Sequence, residues 1–382
     1  MTTTRRRGVV LLAGAMVAML AGLWGALALL GFAVPASTTT AADHGILMTL
    51  GFLGTMISVE RAVALARPWG WAAPVASGVG TVWLLVGDSA TGGKLLLLLA
   101  GLVLLAIYGA LHRVQPSLHN ALMALGTTGW IIGAALWLAG WSIPRVLPWL
   151  VGFLVATIAA ERLELSRLIG VSHRARQVLA GAISLLMVGA LTSIWSPGLG
   201  ARVCGVALLA LAGWLATCDA ARRTVRARGV TRFIAVGLLA GYGWLAVAGV
   251  AWLLGGYQVW GATFDTQVHA VFLGFVVSMI FAHAPVIAPA VLRRPMSYWP
   301  VFYLHLALLH VSLLVRLLGG DLFGSRAAWQ FGGLLNEVAM LNFVAVTVAS
   351  VLTARRHASR SRGVGRHTPT PATAGRHAEG RR

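Results

Sequence analysis

Charged side chains are scarce in this chain of 382 residues, where they make up only 10% of the sequence. Soluble domains carry about 25% charged residues, so the low share excludes an ordinary soluble protein. The hydrophobic share of 58% and the mean hydropathy of +0.82 point the same way. We therefore expect an all-α fold of the polytopic membrane class.

Cysteine is nearly absent, and its placement excludes a disulfide framework. Cys204 and Cys218 lie on one predicted helix, about 21 Å apart along its axis. This separation is too large for the two residues to pair with each other. The sequence also has no Cys-X-X-Cys-His stretch, so covalent attachment of a c-type haem is not indicated.

Acidic residues are few as well, with 10 against 30 basic residues and a net charge of +20. The basic residues are nearly all arginines in short loops at alternate span ends, so the excess indicates membrane orientation and not nucleic-acid binding. With the N-terminus inside, only four basic residues fall in outer loops. They are Lys94, Arg145, Arg202 and Arg326. We expect a bacterial inner-membrane, multi-pass protein with both termini cytoplasmic.

Long apolar runs are abundant, and we count about 12 transmembrane helices of roughly 18–27 residues, the length that a bilayer requires. The first run, 8–34, exceeds the 7–15-residue core of a secretory signal, so it is interpreted as a retained span. Residues 1–353 are predicted to form one transmembrane domain and residues 354–382 a disordered basic cytoplasmic tail. The predicted spans are 8–34, 44–66, 71–88, 94–111, 118–140, 146–166, 176–194, 201–218, 232–255, 265–292, 298–318 and 327–353.

An internal repeat relates the second, sixth and tenth predicted spans. The segments GFLGTMISVER (51–61), GFLVATIAAER (152–162) and GFVVSMIFAHA (274–284) all begin with Gly-Phe. Nine residues after each glycine comes Glu60, Glu161 or His283. Because these spans are four apart and run in the same direction, the repeat predicts three pseudo-symmetric four-helix arcs.

Two histidines open the second and tenth spans at the same predicted depth, near the outer face. His44 and His269 lie on different helices, and two neutral imidazoles from facing helices can hold a low-spin haem iron. The alternative is that each is an interfacial histidine, with Asp43 and Asp265 as ordinary helix N-caps. The matched pair favours iron ligation.

These stretches resemble a known family. The segment ADHGILMTLGFLGTMI, in which a His-Gly is followed by a methionine, is similar to the second helix of haem–copper oxidase subunit I. The segment DTQVH, residues 265–269, is similar to that family's tenth helix. A closer resemblance is to the NnrS-type haem-and-copper membrane proteins of bacterial nitric oxide metabolism. It rests on GLLAGYGWLAVAGVAWLL (237–254) and the following HAVFLGFVVSMI.

The resemblance implies a b-type haem with His44 and His269 as axial ligands, and it has limits. The sixth span has no His-Pro-Glu, the seventh has no His-His pair, and the tenth has one histidine at its start. The copper site of the oxidases is therefore missing, and oxygen or nitric oxide reduction by the oxidase mechanism is not supported.

A second group of histidines lies on the tenth and eleventh spans. His283 and His305 fall at similar predicted depth on helices joined by a short connection, and His310 follows five residues later. Imidazole suits haem iron and copper alike, so one alternative is a second haem or a copper ion. The other is three histidines hydrogen-bonded between helices.

Carboxylates inside the spans form the remaining candidate site. The pairs Glu60–Arg61 and Glu161–Arg162 lie near the cytoplasmic face, either as ion pairs that fasten helix ends or as a proton path grouped with His283. Glu337 lies deeper in the last span, with Arg316 as its candidate partner.

Taken together, these patterns favour a haem-binding inner-membrane protein that acts in electron transfer or nitric oxide metabolism. The expected partners are haem, membrane lipid and a redox protein, and no nucleic acid. The alternative is a proton-coupled secondary transporter that uses buried Glu and His. Whether the protein is an enzyme is left open by these residues.

Overall fold

The computed structural model describes residues 3–35, 38–166, 170–292 and 296–364, and this part of the chain is helical without a strand. Twelve of its helices are long and apolar enough to cross a membrane. The expected all-α, multi-pass membrane architecture is confirmed. The helices are α1 (Thr3–Leu29), α2 (His44–Leu65), α3 (Pro68–Val86), α4 (Ala90–Val114), α5 (Leu118–Leu138), α6 (Ile143–Leu165), α7 (His173–Thr192), α8 (Pro197–Cys218), α9 (Gly229–Gly255), α10 (Ala262–Pro289), α11 (Phe302–Leu322) and α12 (Arg326–Val364).

Serine caps explain why two helices begin before the apolar run that predicts them. The side chain of Ser89 accepts a hydrogen bond from the backbone N–H of Thr91, and Ser172 accepts one from Ala175. Each cap satisfies a backbone donor of the first turn that the helix itself leaves unpaired. The helices α4 and α7 therefore begin directly after the caps, a few residues before the predicted starts at 94 and 176.

The last helix runs past the predicted domain boundary at 353. It continues to Val364, within the segment expected to be a disordered tail. Alanine and arginine, which are frequent in this stretch, are good helix formers, so the backbone can extend α12 beyond its apolar part. Residues 365–382, the rest of the predicted tail, lie outside the described residues.

Neighbouring helices pack on one another along the chain, and these contacts are compatible with the three groups of four that the repeat predicts. One group is α3 to α6 and the second is α7 to α10. In the third, α11 packs on α12 and α1 on α2, and Gln330 of α12 joins the two pairs by donating to the carbonyl of Leu30 at 2.8 Å. At the centre α10 contacts both α2 and α6, so the three repeat helices meet there.

Two of the repeat helices contain a wide, π-helical segment. The segment Leu47–Gly54 lies in α2 and Ala270–Val277 lies in α10, each around its Gly-Phe pair, whereas α6 is α-helical throughout. A further π-helical segment, Val315–Leu322, ends α11. Such segments are frequent at functional sites. His44 and His269 stand just before the first two.

The bundle has two chemically different ends. We call the end that carries the N-terminus the near end and the opposite one the far end. Between them the core is tightly packed and apolar, with Trp130 and Phe153 in contact at a ring-centroid distance of 5.1 Å.

Cys204 and Cys218 are both free thiols, which confirms that they do not pair.

Candidate functional site

A cavity of about 590 Å³ opens at the far end. Its walls come from α1, α2, α6, α10, α11 and α12, together with the segments that lead into α2 and α10, and they are mostly apolar. Cavities of roughly 300–1,000 Å³ with few polar groups are typical of small-molecule and cofactor sites. The ionisable and amide side chains that line it are those of His44, Asp265, His269, Arg316, Asp321, Asn336 and Glu337.

His44 enters this cavity from the first turn of α2. Its Nδ1 lies 2.7 Å from the backbone oxygen of Gly22 on α1. A carbonyl oxygen only accepts, so Nδ1 carries the proton and Nε2 holds a lone pair. Among the residues that the structure describes, none forms a hydrogen bond with that Nε2.

The side chain of His269 lines the same cavity. It lies in the last turn of the α-helical segment Ala262–His269, with which α10 begins. Its Nδ1 lies 3.0 Å from the backbone oxygen and 3.1 Å from the carboxylate Oδ1 of Asp265, one turn earlier. Both oxygens are acceptors, so this imidazole also carries its proton on Nδ1. In the described parts of the chain its Nε2 has no hydrogen-bond partner.

The two imidazoles therefore have the same tautomer and the same pattern of hydrogen bonds. Each donates Nδ1–H to protein oxygen and keeps an unshared lone pair on Nε2, and both line one cavity from different helices. Metal-ligating histidines usually donate their other ring N–H to a carbonyl or carboxylate, which fixes the tautomer and the ring orientation. The arrangement leaves two imidazole nitrogens with free lone pairs on the wall of one cavity.

Asp265 does not cap a helix, so the N-cap interpretation of this residue is wrong. It lies inside α10, and its carboxylate accepts two hydrogen bonds from Arg316 of α11, at 2.7 and 2.8 Å, and one from Trp329 Nε1 of α12, at 3.2 Å. The spacing of four residues between Asp265 and His269 was the available sequence signal, because it places both on one helix face.

Asp43 also forms no side-chain cap for the helix that follows it. Its carboxyl is half-buried before the first turn of α2. Burial raises the pKa of this carboxyl, and the nearby charge of Lys94 opposes the rise. Asp43 thus occupies the N-cap position that the alternative interpretation gave it, but without a side-chain cap hydrogen bond.

Glu337 lines the far-end cavity, but Arg316 directs its hydrogen bonds elsewhere. The guanidinium bonds Asp265, whereas the buried Oε1 of Glu337 has no hydrogen-bond partner within the described ranges. Beside it, Asn336 donates its amide N–H to Ser312 Oγ at 2.6 Å and leaves its own Oδ1 without a partner. These two oxygens are acceptors on the α12 side of the cavity.

At the near end the repeat positions converge. Glu60 pairs with Arg61, and the same guanidinium lies 3.9 Å from Glu161 of α6. The predicted ion pairing of Glu60 with Arg61 is confirmed. Two carboxylates from two repeats thus share one arginine.

Arg162 has partners that the sequence did not predict. It bonds the carboxylate of Asp219, directly after α8, at 2.8 and 3.0 Å, and donates to Nε2 of His283 at 2.8 Å. In the described residues Glu161 has Arg61 as its nearby arginine, whereas Arg162 pairs with the buried Asp219 across the helix interface. No periodic signal marks Asp219, which follows the apolar run of α8.

The second group of histidines, His283, His305 and His310, lies in three different environments. His283 also donates Nδ1–H to the carbonyl of Met279 at 2.7 Å, so both ring nitrogens are engaged. His310 accepts from Trp244 Nε1 at 3.0 Å and lies 3.4 Å from Ser278 Oγ. Within the described part of the chain, none of the three histidines shares a hydrogen-bond partner with another.

His305 is enclosed by aromatic rings. Its side chain is fully buried, and the rings of Phe281, Phe302 and Phe343 stand edge-on to it with centroids 4.9–5.5 Å away. Neither ring nitrogen has a hydrogen-bond partner in the described residues. Over those same residues no group of three or more His, Cys, Asp or Glu side chains is arranged to hold a metal ion. A second haem or a copper ion at these histidines stays a prediction.

Comparison with known proteins identifies one family. The model of a domain of unknown function, DUF8744, matches residues 7–352 and so includes all the site residues above. No curated protein matches the chain.

Proposed function

The chain belongs to the DUF8744 family, and we propose that it is a haem-binding membrane protein acting in electron transfer or nitric oxide metabolism. His44 and His269 would hold a b-type haem, each through its Nε2. The observation that carries the proposal is that both histidines line one cavity and donate Nδ1–H to a protein oxygen. In each of them Nε2 has no hydrogen-bond partner among the described residues.

The rest of the cavity supports a flat, largely apolar group with charged edges. Apolar side chains of α1, α2, α6 and α10, including Leu23, Leu53, Leu150 and Phe272, supply most of the wall. Arg316, which is buried, adds a cation that can face carboxylates. Its Nη1 has no hydrogen-bond partner among the described residues, because Asp265 is bonded through Nε and Nη2.

When bound, the haem would supply one-electron redox chemistry. The protein's own part is to fix both imidazole rings, since Gly22 and Asp265 hold the Nδ1 atoms, and to exclude water with the apolar wall. Fixed ligands and a dry pocket are the means by which a protein adjusts a haem. The resemblance to NnrS-type proteins suggests nitric oxide metabolism. A bacterial inner-membrane location, cytoplasmic termini and a redox partner protein belong to the same proposal.

The test is optical spectroscopy of the purified protein, produced with an adequate supply of haem. We expect a Soret band that shifts on reduction with dithionite. His44→Ala and His269→Ala should each lose most of the bound haem while the protein stays monodisperse. His173→Ala is the matched control, because this histidine is exposed at the near-end start of α7. Colourless wild-type protein, or full haem content in both variants, would reject the proposal.

A second candidate function is supported by the acceptor oxygens of α12. Glu337 Oε1 and Asn336 Oδ1 are buried and have no partner in the described residues. Unpaired carboxylates inside a membrane domain also suit a proton-coupled secondary transporter. In proteoliposomes with a trapped pH dye, such a carrier would acidify the lumen with its solute, and Glu337→Gln would abolish the signal.

A further inference from the structure

The carboxylate of Asp265 connects the last three helices at the wall of the cavity. Its Oδ1 lies 2.7 Å from Arg316 Nη2 and 3.1 Å from His269 Nδ1. Its Oδ2 accepts from Arg316 Nε at 2.8 Å and from Trp329 Nε1 at 3.2 Å. With four contacts from three directions, this carboxylate cannot rotate freely.

The hydrogen bond of His44 has a different kind of acceptor. His44 donates to a neutral backbone carbonyl, that of Gly22, whereas His269 faces both the carbonyl and the carboxylate of Asp265. No acidic side chain forms an ion pair with His44 among the residues described. The two imidazoles thus have the same tautomer, but Nδ1–H of His44 faces a neutral carbonyl and Nδ1–H of His269 also faces a charged carboxylate.

We propose that Asp265 is a positioning residue that makes the two histidines that would hold the haem unequal, with His269 the stronger electron donor. The inference rests on the proposed function, because it concerns the same haem site. A carboxylate behind Nδ1–H draws the proton toward itself and increases the basicity of Nε2. Its negative charge near the iron also favours the ferric over the ferrous state.

Arg316 and Trp329 decide how strong this effect is. Both donate to the carboxylate and so withdraw part of its charge from His269. Removing one of these donors should strengthen the bond to the imidazole, whereas removing the carboxylate's charge should weaken it. The proposal therefore predicts opposite shifts for two neighbouring variants.

The experiment is a potentiometric titration of the haem-loaded protein, combined with electron paramagnetic resonance of the oxidised form. Asp265→Asn keeps an oxygen acceptor but loses the charge, so the midpoint potential should rise and the low-spin ferric signal should change. Trp329→Phe removes the indole N–H and should lower the potential. Asp88→Asn is the control, because Asp88 is exposed between α3 and α4 and does not line the cavity. It should leave the ferric signal unchanged.

The outcomes separate this inference from the proposed function. Wild-type protein without haem would overturn the function itself. Haem-loaded Asp265→Asn protein with unchanged potential and spectrum, or shifts of the same sign in both variants, would overturn only the role of Asp265. If Asp265→Asn fails to fold, Trp329→Phe decides alone: a lower potential supports the role and an unchanged or higher one rejects it.

Discussion

Arg162 and Asp219 form a two-point ion pair at the near end of the bundle, with N···O distances of 2.8 and 3.0 Å. Both side chains are buried. The remaining nitrogen of the guanidinium donates to His283. One arginine thus ties α6 to the end of α8 and to α10, at the place where the repeat helices converge.

Removal of one partner of this pair should be costly. Asp219→Ala leaves a buried guanidinium without its carboxylate, and breaking a buried pair in this way costs about 3–5 kcal/mol. We expect a clearly lower unfolding midpoint in detergent, measured by the loss of monodisperse protein on heating. Asp88→Ala is the control, since Asp88 is exposed between α3 and α4. Equal midpoints for the two variants would contradict the assigned importance of the pair.

Gly274 is required where α9 approaches the π-helical segment of α10. A Cβ at this position would lie 2.5 Å from the Cβ and Cγ atoms of Trp244, so Gly274→Ala forces the helices apart. Overpacking of this kind costs about 1–3 kcal/mol. Gly243→Ala, one residue from Trp244, meets nothing within 4 Å and should be neutral or stabilising. Comparison of the two midpoints checks the close approach, and a tolerated Gly274→Ala would refute it.

His305 should be replaceable by an apolar residue. Its imidazole is fully buried and neither nitrogen has a hydrogen-bond partner in the described residues. An unsatisfied buried polar group costs about 1–3 kcal/mol, so His305→Leu should leave the thermal midpoint unchanged or raise it. His283→Leu, in contrast, takes an acceptor from Arg162 and should lower the midpoint. Loss of bound metal in His305→Leu protein would instead support the predicted second metal site.

The charge of Asp43 should oppose folding at neutral pH. Burial raises the pKa of this carboxyl above its usual 3.8. The folded state therefore resists ionisation, and the resulting loss of stability appears as the pH rises through 3.8 to the raised value. Asp43→Asn should raise the unfolding midpoint at neutral pH and have little effect at about pH 3, where both states are protonated. A variant that is less stable at neutral pH would contradict the sign.

Apolar run length predicted the twelve helices well, because a bilayer fixes the length of a spanning helix. The convergence of Glu60, Glu161 and His283 toward the near-end arginines also followed from the repeat. The π-helical segments around Gly51 and Gly274 did not, since no composition signal distinguishes a π turn from an α turn. They depend on packing against neighbouring helices.

The candidate site was predictable only in part. His44 and His269 could be singled out because ionisable residues at the same depth in two spans are unusual. Asp219 and the bond of Asp265 to Arg316 could not, because each depends on which distant helix ends become neighbours. Nor could the sequence separate His305 from His283, although one lies among aromatic rings and the other beside an arginine.

The far-end cavity takes its walls from the first two helices, from α6 and from the last three. During synthesis the ribosome completes α1 and α2 long before Trp329 or Met340 exists. The pocket therefore has no closing wall until the twelfth helix has been inserted. A molecule can be enclosed by the complete wall only after α12 has been inserted, and truncation within α12 should yield an inserted but empty protein.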